Sequence, residues 1–454
     1  MGNGRQGVVG NGYTSRVWKG DGQEIKADTS NTGIGYFFSA QGQGMKEFFK
    51  VQTPDQLYKK MDRFKPLSFE KVYLEDALHR VLYEDILSPS NVPEFPRSTM
   101  DGFAVKAEDT YGTSEKNPNL LRVVGEISMG QVSDIELRDG EAIKVATGGM
   151  VPKGANAVEM VEYTESVDPH TIHVFKALSP LENVMQIAED IKAGEIVLRQ
   201  GHWIRPQDVG LMAAIGKTDL FVYRQPRVAI ISSGDEIVPV ETSPSPGQIR
   251  DVNRYAVFSM VKESGGIPIF LGIAKDRFDD LKEKIELGLY QADMVVLTGG
   301  SSVGTLDLAG EVLQIFPATE ILGHGISIRP GKPTLLADIG GKPFLGLPGH
   351  PVSAIVIFHF FGKPILKILS GFSKEGIWHQ IKVKAKTTRN IPSVPGREDY
   401  VRVKLEEKDG VLLADPVFGK SGAIRHLAQA NGLIRIDINE EGLDAGEEVD
   451  VILI

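Results

Sequence analysis

Four loops in the second half of the chain place acidic, hydroxyl or small residues directly after apolar runs. The run Val295–Leu297 is one example, because it leads into a glycine- and serine-rich segment that ends at Asp307. The four loops are Ser232–Glu236, Asp276, Gly299–Asp307 and Gly346–Ser353. Short apolar runs predict buried strands, and ligands bind where the strands of an open parallel α/β sheet end. We therefore expect the four loops to lie along one edge of a sheet and to form a binding site there.

The loop after Val295–Leu297 carries residue types that bind phosphate. Gly299, Gly300, Ser301 and Ser302 would expose backbone N–H groups to an anion. The usual phosphate-loop motifs do not occur here, because Thr305 stands where a Walker A loop has lysine and residues 225–374 contain no G-x-G-x-x-G. A plain glycine-rich turn between strand and helix is therefore the alternative at this point.

Asp276 and Asp307 could bind a divalent cation at the same edge. Mg²⁺ often takes only one or two protein carboxylates and completes its shell with substrate phosphates. Each aspartate also precedes a predicted helix, so a helix N-cap is the alternative role, and the two roles are compatible.

Arg329 and Lys332 lie three residues apart around a Pro-Gly turn. Two cations held by a rigid turn suit an oxyanion, although a solvated β-turn explains the same residues without a ligand. Pro351, in "GLPGHPVS", favours a helix that begins there, and the N-terminus of that helix would also attract an anion.

The composition of the chain excludes several classes of protein. The 454 residues carry a net charge of -10, which argues against a general nucleic-acid-binding protein. The absence of cysteine excludes disulfides and thiolate metal sites, and the nine histidines form no close pair at metal-ligand spacing, so we predict no zinc site. The longest apolar stretch, Val352–Leu369, is interrupted by charged residues, glycine and proline, so we predict no membrane span. We expect a cytoplasmic protein with a small-molecule substrate.

The order of runs and turns predicts a multidomain α/β plus β protein with a mainly parallel α/β sheet. The predicted domains are a glycine-rich extension or tag at 1–44, an extended N-terminal or linking domain at 45–95 and 184–224, an inserted all-β domain at 96–183, an α/β domain at 225–374 and a C-terminal β-barrel at 375–454. We expect residues 1–44 to be mobile, with a small β-rich extension as the alternative. Residues 45–66 suit a helix, and residues 68–89 suit a helix followed by a short strand.

Nine motifs that occur in order resemble those of one protein family. They are "STMDGFAV", "ATGG", "AEDIKAGEIVL", "SSGDEI", "GQIRDVNRYAV", "LTGGSSVGTLD", "IRPGKP", "GLPGHPVSA" and "SGAIRHLAQANGLI". From about Met45 to Ile454, the chain resembles the molybdopterin molybdotransferases, the MoeA and gephyrin E-domain family. The resemblance implies four subdomains, an α/β domain like the molybdopterin adenylyltransferases, and an elongated homodimer. Its active cleft would lie between the β insertion of one subunit and the α/β and C-terminal domains of the other.

The resemblance also implies a reaction, in which molybdate is inserted into adenylylated molybdopterin and AMP is released, with Mg²⁺ as the cation. The residues that match the family's functional cleft are Asp101, Thr147, Asp190, Glu236, Asp276 and Asp307. Of these, Asp276 and Asp307 are expected to bind Mg²⁺ and the pyrophosphate. The residues implied to bind molybdate or phosphate are Arg329, Lys332, Pro348, Ser353, Arg397 and Ser421, and the loop Gly299–Ser302 would hold the pterin phosphate. A molybdopterin adenylyltransferase is a possible partner protein, and we expect neither a nucleic acid nor a membrane as partner.

Two positions depart from the family's pattern. His350 stands where the family usually has asparagine, and Arg329 stands where it usually has lysine. A guanidinium binds an oxyanion as a fork, whereas an ammonium acts as a point charge, and an imidazole titrates near neutral pH. Since tungstate and molybdate are nearly isosteric, a tungstate-inserting homologue is an alternative.

Two functions of other kinds compete with this prediction. A non-catalytic scaffold of the gephyrin E-domain type is disfavoured by the acids at 276 and 307 and by the lack of an attached adenylyltransferase domain. A pyridine-nucleotide deamidase built on the same α/β module is disfavoured by the β insertion around "STMDGFAV" and by the "ANGLI" tail.

Overall fold

The computed structural model describes residues 51–132, 134–299 and 303–454, together with two short paired strands, Arg16–Trp18 and Glu24–Lys26. These residues form two compact units. The first unit contains the chain up to Pro66, Gln225–Ser370 and Ile377–Ile454, and the second contains Leu67–Arg224 and Gly371–Gly376. Apart from the two short strands, the predicted extension at 1–44 lies outside the described residues.

A six-stranded mixed sheet is the centre of the first unit. Its strands are β1 (Arg227–Ser233), β2 (Ile267–Ala274), β3 (Met294–Gly299), β4 (Thr319–His324), β5 (Leu335–Ile339) and β6 (Lys342–Leu347), in the spatial order β2-β1-β3-β6-β5-β4. The first four in space are mutually parallel, and β5 and β4 are antiparallel additions at one edge. The prediction of a mainly parallel sheet therefore missed the antiparallel edge. The antiparallel pairing of β5 with β6 follows from the two-residue hairpin Gly340–Gly341 that joins them. Both glycines have positive φ, as a type I′ turn requires.

Helices cover both faces of this sheet, as the alternating pattern predicted. They are α1 (Asn253–Glu263), α2 (Phe278–Gln291), α3 (Val303–Leu313), α4 (Pro351–Ile357) and α5 (Lys363–Leu369). A π turn, Phe358–Gly362, joins α4 to α5. Pro364 explains this turn, because proline has no backbone N–H to donate a hydrogen bond to the carbonyl one helical turn earlier. By length and composition the helix Pro351–Leu369 could cross a membrane, but 72% of its most apolar window is buried in the protein, as in a core helix.

The C-terminal part of the first unit is a closed five-stranded barrel. Its strands are β7 (Lys382–Thr387), β8 (Glu398–Lys408), β9 (Val411–Pro416), β10 (Gly432–Ile436) and β11 (Glu448–Leu453). They pair in the order β8-β9-β7-β11-β10, and β10 pairs with β8 to close the barrel. A short strand, Ile328–Arg329, adds to β8 in parallel, so Arg329 lies opposite Asp399.

The second unit is built from a six-stranded sheet and several strand pairs. In spatial order, the strands of the sheet are Thr164–Asp168, Thr171–Val174, Asn119–Ile127, Glu141–Val145, Gly102–Val105 and Ala157–Met160. The strand pairs are Phe69–Tyr73 with Asp219–Tyr223, Ile86–Leu87 with Ile196–Leu198, and Arg97–Ser98 with Val184–Met185, and one helix is Pro206–Ala214. The sheet lies within the segment predicted to be an all-β insertion.

Two predicted helices near the start of the chain are wrong in extent or type. Among the described residues, the helix expected over 45–66 begins at Pro54 and ends at Met61, because Thr53 and Gln56 form a reciprocal capping box that starts it. The segment 68–89 forms the strand Phe69–Tyr73, a 3₁₀ turn at Leu74–Asp76 and the strand Ile86–Leu87. Pairing of Phe69–Tyr73 with Asp219–Tyr223, far along the chain, overrides the local helical pattern.

Glu159 is a buried carboxylate in the sheet of the second unit. Its side chain is fully buried beside Phe103, and neither of its oxygens has a hydrogen-bond partner in the described part of the chain. Burial raises the pKa of Glu159 to about 7. Folding raises the pKa of this carboxyl, so its protonated form contributes to the free energy of unfolding. That contribution is complete at pH values below the unfolded-state pKa, and it is lost as the pH rises towards the folded-state pKa.

Glu159→Gln is therefore expected to stabilise the protein at alkaline pH. At about pH 8 we expect a gain of roughly 2–3 kcal/mol in the free energy of unfolding, falling towards zero at about pH 4, measured by urea unfolding. Glu182→Gln is the control, since Lys176 holds the pKa of Glu182 below its usual range and this variant should lose stability at pH 8. A Glu159→Gln protein less stable than the wild type at pH 8 would contradict the prediction.

Candidate functional site

The four predicted loops follow the four parallel strands of the α/β sheet. The end of β1 leads into the loop Ser232–Glu236, and β2 leads to Asp276. The loop from Gly299 continues β3, and the end of β6 leads into the loop Gly346–Ser353. Ser233 pairs with both Ala274 and Gly299. Since these strands are adjacent and parallel, the loops leave the sheet at its carboxyl edge, as expected.

Asp276 lies in an acidic part of this edge. One of its oxygens, Oδ1, is buried and has no hydrogen-bond partner among the described residues, while its carboxylate also interacts with Thr305 of α3. Burial raises the pKa of Asp276, and the negative charges of Glu236 and Asp235 raise it further. The N-cap of α2 is Arg277, so the alternative role of Asp276 as that cap is wrong.

Asp307 lies inside a helix rather than before one. Helix α3 begins at Val303, which excludes Asp307 from the capping position. Its Oδ1 lies 3.2 Å from Nε2 of His324, at the end of β4. Burial lowers the pKa of His324, and the charge of Asp307 partly opposes this shift. No pattern in the sequence pointed to His324, because a single histidine at a strand end is compatible with many roles.

Gly299 brings the ends of β1 and β3 into close contact. It has φ of +134°, and a Cβ at this position would lie 1.9 Å from the backbone oxygen of Ser233. Only glycine fits such an approach. Three other predicted phosphate-binding residues, Gly300, Ser301 and Ser302, lie outside the described residues.

Two side chains at the start of α1 connect the loops and were not among the predicted site residues. Ser232 donates a hydrogen bond of 2.6 Å to Oδ2 of the buried Asp251. The amide of Asn253 donates to the carbonyl of Gly349 at 2.9 Å, while its Oδ1 has no partner in the described chain. Both Asp251 and Asn253 belong to the motif "GQIRDVNRYAV", which was the available signal for them.

A second part of the site is a cationic cavity of about 680 Å³ in the first unit. It brings together six residues that the sequence analysis assigned to an oxyanion: Arg329, Lys332, Pro348, Ser353, Arg397 and Ser421. His350, one of the two departures from the family pattern, lines it too. Four cationic side chains face one carboxylate in its described lining, so the cavity has the charge that attracts an anion.

Two residues of this cavity were missed by sequence reasoning, although both lie in the motif "GREDYVRV". Asp399 is fully buried and pairs with Arg329 at 2.9 Å and with Arg397 at 3.2 Å. Arg402 is also buried and donates from Nη2 to the carbonyl of Gly419 at 2.8 Å. Its Nη1 has no hydrogen-bond partner among the described residues, and burial lowers the pKa of its guanidinium.

The remaining predicted cleft residues belong to the second unit. Thr147 donates to Oδ1 of Asp101 from its backbone N–H at 2.7 Å and from its hydroxyl at 3.0 Å. These two hydrogen bonds lower the pKa of Asp101. Asp190 is exposed, and its backbone N–H donates to the carbonyl of Val92. Asp101 and Thr147 therefore form a pair, whereas Asp190 is not part of it.

The described residues contain no group of three or more histidine, cysteine, aspartate or glutamate side chains close enough to hold a metal ion. A cation at the acidic edge would therefore depend on one or two carboxylates together with ligands from a substrate, which is the usual situation for Mg²⁺.

Three family models match successive parts of the chain. A model described as the MoeA N-terminal region (domain I and II) matches residues 52–216. A model described as a probable molybdopterin binding domain matches 229–368, and one described as the MoeA C-terminal region (domain IV) matches 384–454.

Relatives and solved structures align over most of the chain. The molybdopterin molybdenumtransferase of Bacillus subtilis is 33% identical over 85% of this chain and 90% of the relative. A putative molybdopterin biosynthesis protein of Methanocaldococcus jannaschii is 36% identical over 85% and 92%, respectively. The crystal structure of a molybdopterin biosynthesis MoeA protein from Pyrococcus horikoshii has a TM-score of 0.74 at 37% identity and covers 89% of this chain and 99% of that one. The segments matched by the family models contain every described site residue discussed above.

Proposed function

The chain belongs to the MoeA family of molybdopterin molybdenumtransferases and is a transferase of molybdenum cofactor biosynthesis, and we propose that it inserts molybdate into adenylylated molybdopterin with release of AMP. The observation that carries this proposal is the cationic cavity, in which six residues assigned to an oxyanion from the sequence lie together. Molybdate is a tetrahedral dianion, and guanidinium and ammonium donors in a partly enclosed cavity suit its charge and its oxygens.

Arg402 adds a donor to this cavity. Its Nη1 is buried without a hydrogen-bond partner in the described chain, and an anion in the cavity would supply an acceptor. An unsatisfied buried donor costs about 1–3 kcal/mol, and more when it is charged, so anion binding recovers that free energy.

The acidic edge is the proposed place of phosphoanhydride cleavage. Asp276 and Asp307 are the residues that would hold Mg²⁺, with Glu236 close to Asp276. The donors fit a cation, because Asp276 has a buried oxygen without a partner and its pKa is raised by neighbouring negative charge. When bound, Mg²⁺ would neutralise charge on the phosphoanhydride oxygens. His324 orients the carboxylate of Asp307, and the loop after β3 would hold the pterin phosphate.

The test of the function is AMP release from adenylylated molybdopterin in the presence of Mg²⁺, with and without molybdate or tungstate. Release that depends on the oxyanion supports the proposal, and the preferred oxyanion identifies the metal that is inserted. A folded protein that releases no AMP with either oxyanion would contradict it and leave a scaffold function of the gephyrin E-domain type.

Lys332→Ala is expected to raise the molybdate concentration for half-maximal AMP release by about tenfold or more, because the variant removes a cavity cation. Lys332 is exposed at the cavity wall. Lys382→Ala is the matched control, since it changes the net charge equally on an exposed residue of β7 outside the cavity. Equal effects of the two variants would show that general charge, and not the cavity, determines the molybdate dependence.

The proposal includes a homodimer in which Asp101 and Thr147 serve the cleft of the partner subunit. It is supported by the pairing of Asp101 with Thr147 in the second unit, whereas the carboxylates of the sheet edge belong to the first unit. Light scattering should give a molar mass twice that of the chain, and an active monomer would contradict this part of the proposal. Binding to a molybdopterin adenylyltransferase would be measured in the same way.

A further inference from the structure

Asp399, in the wall of the cavity, is surrounded by three side-chain donors. Its Oδ2 lies 2.9 Å from Nη2 of Arg329 and accepts from the hydroxyl of Ser393 at 2.8 Å. Its Oδ1 accepts from Nε of Arg397 at 3.2 Å. The carboxylate is fully buried, and it is the only acidic side chain in the described lining of the cavity. Both arginines that it binds line the same cavity.

The two arginines reach Asp399 from different parts of the first unit. Arg329 belongs to the loop between β4 and β5 of the α/β sheet, and its short strand pairs in parallel with β8 of the barrel. Arg397 comes directly before β8, two residues from Asp399. The carboxylate therefore joins a cation of the sheet domain to a cation of the barrel.

A guanidinium has five N–H donors in one plane. Asp399 takes the Nη2 of Arg329 and the Nε of Arg397, which leaves other donors of each group for a ligand. Without the anion between them, the two cations would repel each other and each side chain would regain rotamers. The carboxylate thus has the geometry to fix where the unused donors point.

We propose that Asp399 is a positioning residue that orients the guanidinium groups of Arg329 and Arg397 for a tetrahedral oxyanion. This inference rests on the proposed function, because it takes the cavity to be the oxyanion site. Asp399 acts through the arginines and does not itself contact the anion, since a carboxylate would repel it.

The sign of the effect of Asp399→Asn separates positioning from simple electrostatics. The variant removes one negative charge from the cavity, so Coulomb attraction alone predicts tighter binding of a dianion. Positioning predicts weaker binding, because the asparagine amide presents donors where the arginines need an acceptor. We expect the dissociation constant for tungstate, measured by isothermal titration calorimetry, to rise about tenfold or more.

Glu398→Gln is the matched control. Glu398 is the neighbouring residue of β8, is buried like Asp399, and binds Arg435 through two hydrogen bonds of 3.0 and 2.8 Å. Arg435 does not line the cavity, and the hydroxyl of Tyr400, which does, donates to Oε2 of Glu398 at 2.9 Å. A glutamine at this position keeps an oxygen that accepts this hydrogen bond. Loss of a buried ion pair should destabilise both variants in urea, but only Asp399→Asn should weaken tungstate binding.

Ser393→Ala tests the positioning role of Asp399 by a second route if Asp399→Asn fails to fold. The variant removes one donor to Asp399 from a half-buried loop residue without changing charge. We expect about a two- to fivefold rise in the tungstate dissociation constant, since one neutral hydrogen bond is lost. In AMP release, both variants should raise the molybdate concentration for half-maximal rate more than they lower the rate at saturation.

The outcomes separate this inference from the proposed function. A wild-type protein that does not bind tungstate, or binds it equally well after Lys332→Ala, would overturn the oxyanion assignment of the cavity and the positioning role with it. A second outcome would overturn the positioning role alone. In it, the wild-type protein binds tungstate in a way that depends on Lys332, but folded Asp399→Asn or Ser393→Ala binds tungstate equally well or more tightly. Weaker binding by both variants, with unchanged binding by Glu398→Gln, supports it.

Discussion

Asp276→Asn is expected to slow AMP release from adenylylated molybdopterin by about 100- to 1,000-fold, because it removes the charge that, in the proposed reaction, acts on the phosphoanhydride and on Mg²⁺. The asparagine keeps the size of the side chain and its ability to interact with Thr305. The change should therefore affect the chemistry of the site far more than its shape.

The same substitution is expected to leave the fold intact or make it more stable. Burial and the charges of Glu236 and Asp235 raise the pKa of Asp276, so the contribution of this carboxyl to stability is lost as the pH rises through its folded pKa. An asparagine has no charge to lose and avoids this penalty at neutral pH. Stability retained or gained in urea, together with lost activity, would show that the carboxylate is kept for function.

Asp280→Asn is the control for the loss of one negative charge near the same helix. Asp280 lies in the first turn of α2 and pairs with Arg277 at 2.9 Å. We expect its rate of AMP release to stay within about twofold of the wild type, since surface substitutions of this kind have small effects. Comparable losses in the two variants, or an active Asp276→Asn protein, would contradict a role of Asp276 in the reaction.

The position of the acidic edge could be predicted from the sequence because it depends on a local pattern. Each strand of the parallel part is a short apolar run followed by polar residues, and parallel strands end at one edge. The antiparallel strands β4 and β5 were missed, since the Gly340–Gly341 hairpin that joins β5 to β6 was not recognised. The helix expected at 68–89 failed for a related reason, because its partner strand at Asp219–Tyr223 is distant in sequence.

The details of the site depended on contacts that no local pattern contains. Asp307 could be a cap only if α3 began after it, and the helix begins four residues earlier, at Val303. Its neighbour His324 comes from β4, and the partners of Asp399 come from the loop before β5 and from the barrel. Such side chains become site candidates only when the chain is folded, although Asp399 and Arg402 lie close in sequence to the predicted site residue Arg397.

Gly299→Ala is expected to destabilise the first unit by about 3–5 kcal/mol, because strain and a backbone clash combine at one position. The added Cβ would lie 1.9 Å from the oxygen of Ser233 and 2.7 Å from its carbonyl carbon. Both residues end central strands of the sheet and pair with each other, so the clash cannot be relieved by moving a side chain. Urea unfolding gives the free-energy change.

Gly310→Ala is the matched control for Gly299→Ala. Gly310 lies within α3, and a Cβ there meets nothing within 4 Å. An alanine in an open helical position should stabilise the protein by about 0.5–1 kcal/mol. A Gly299→Ala protein within about 1 kcal/mol of the wild type would show that the strand ends can separate. β1 leads into the loop with Glu236, and β3 leads into the loop proposed to bind phosphate. Such a separation would also shift these two loops relative to each other, and AMP release would then fall without a loss of stability.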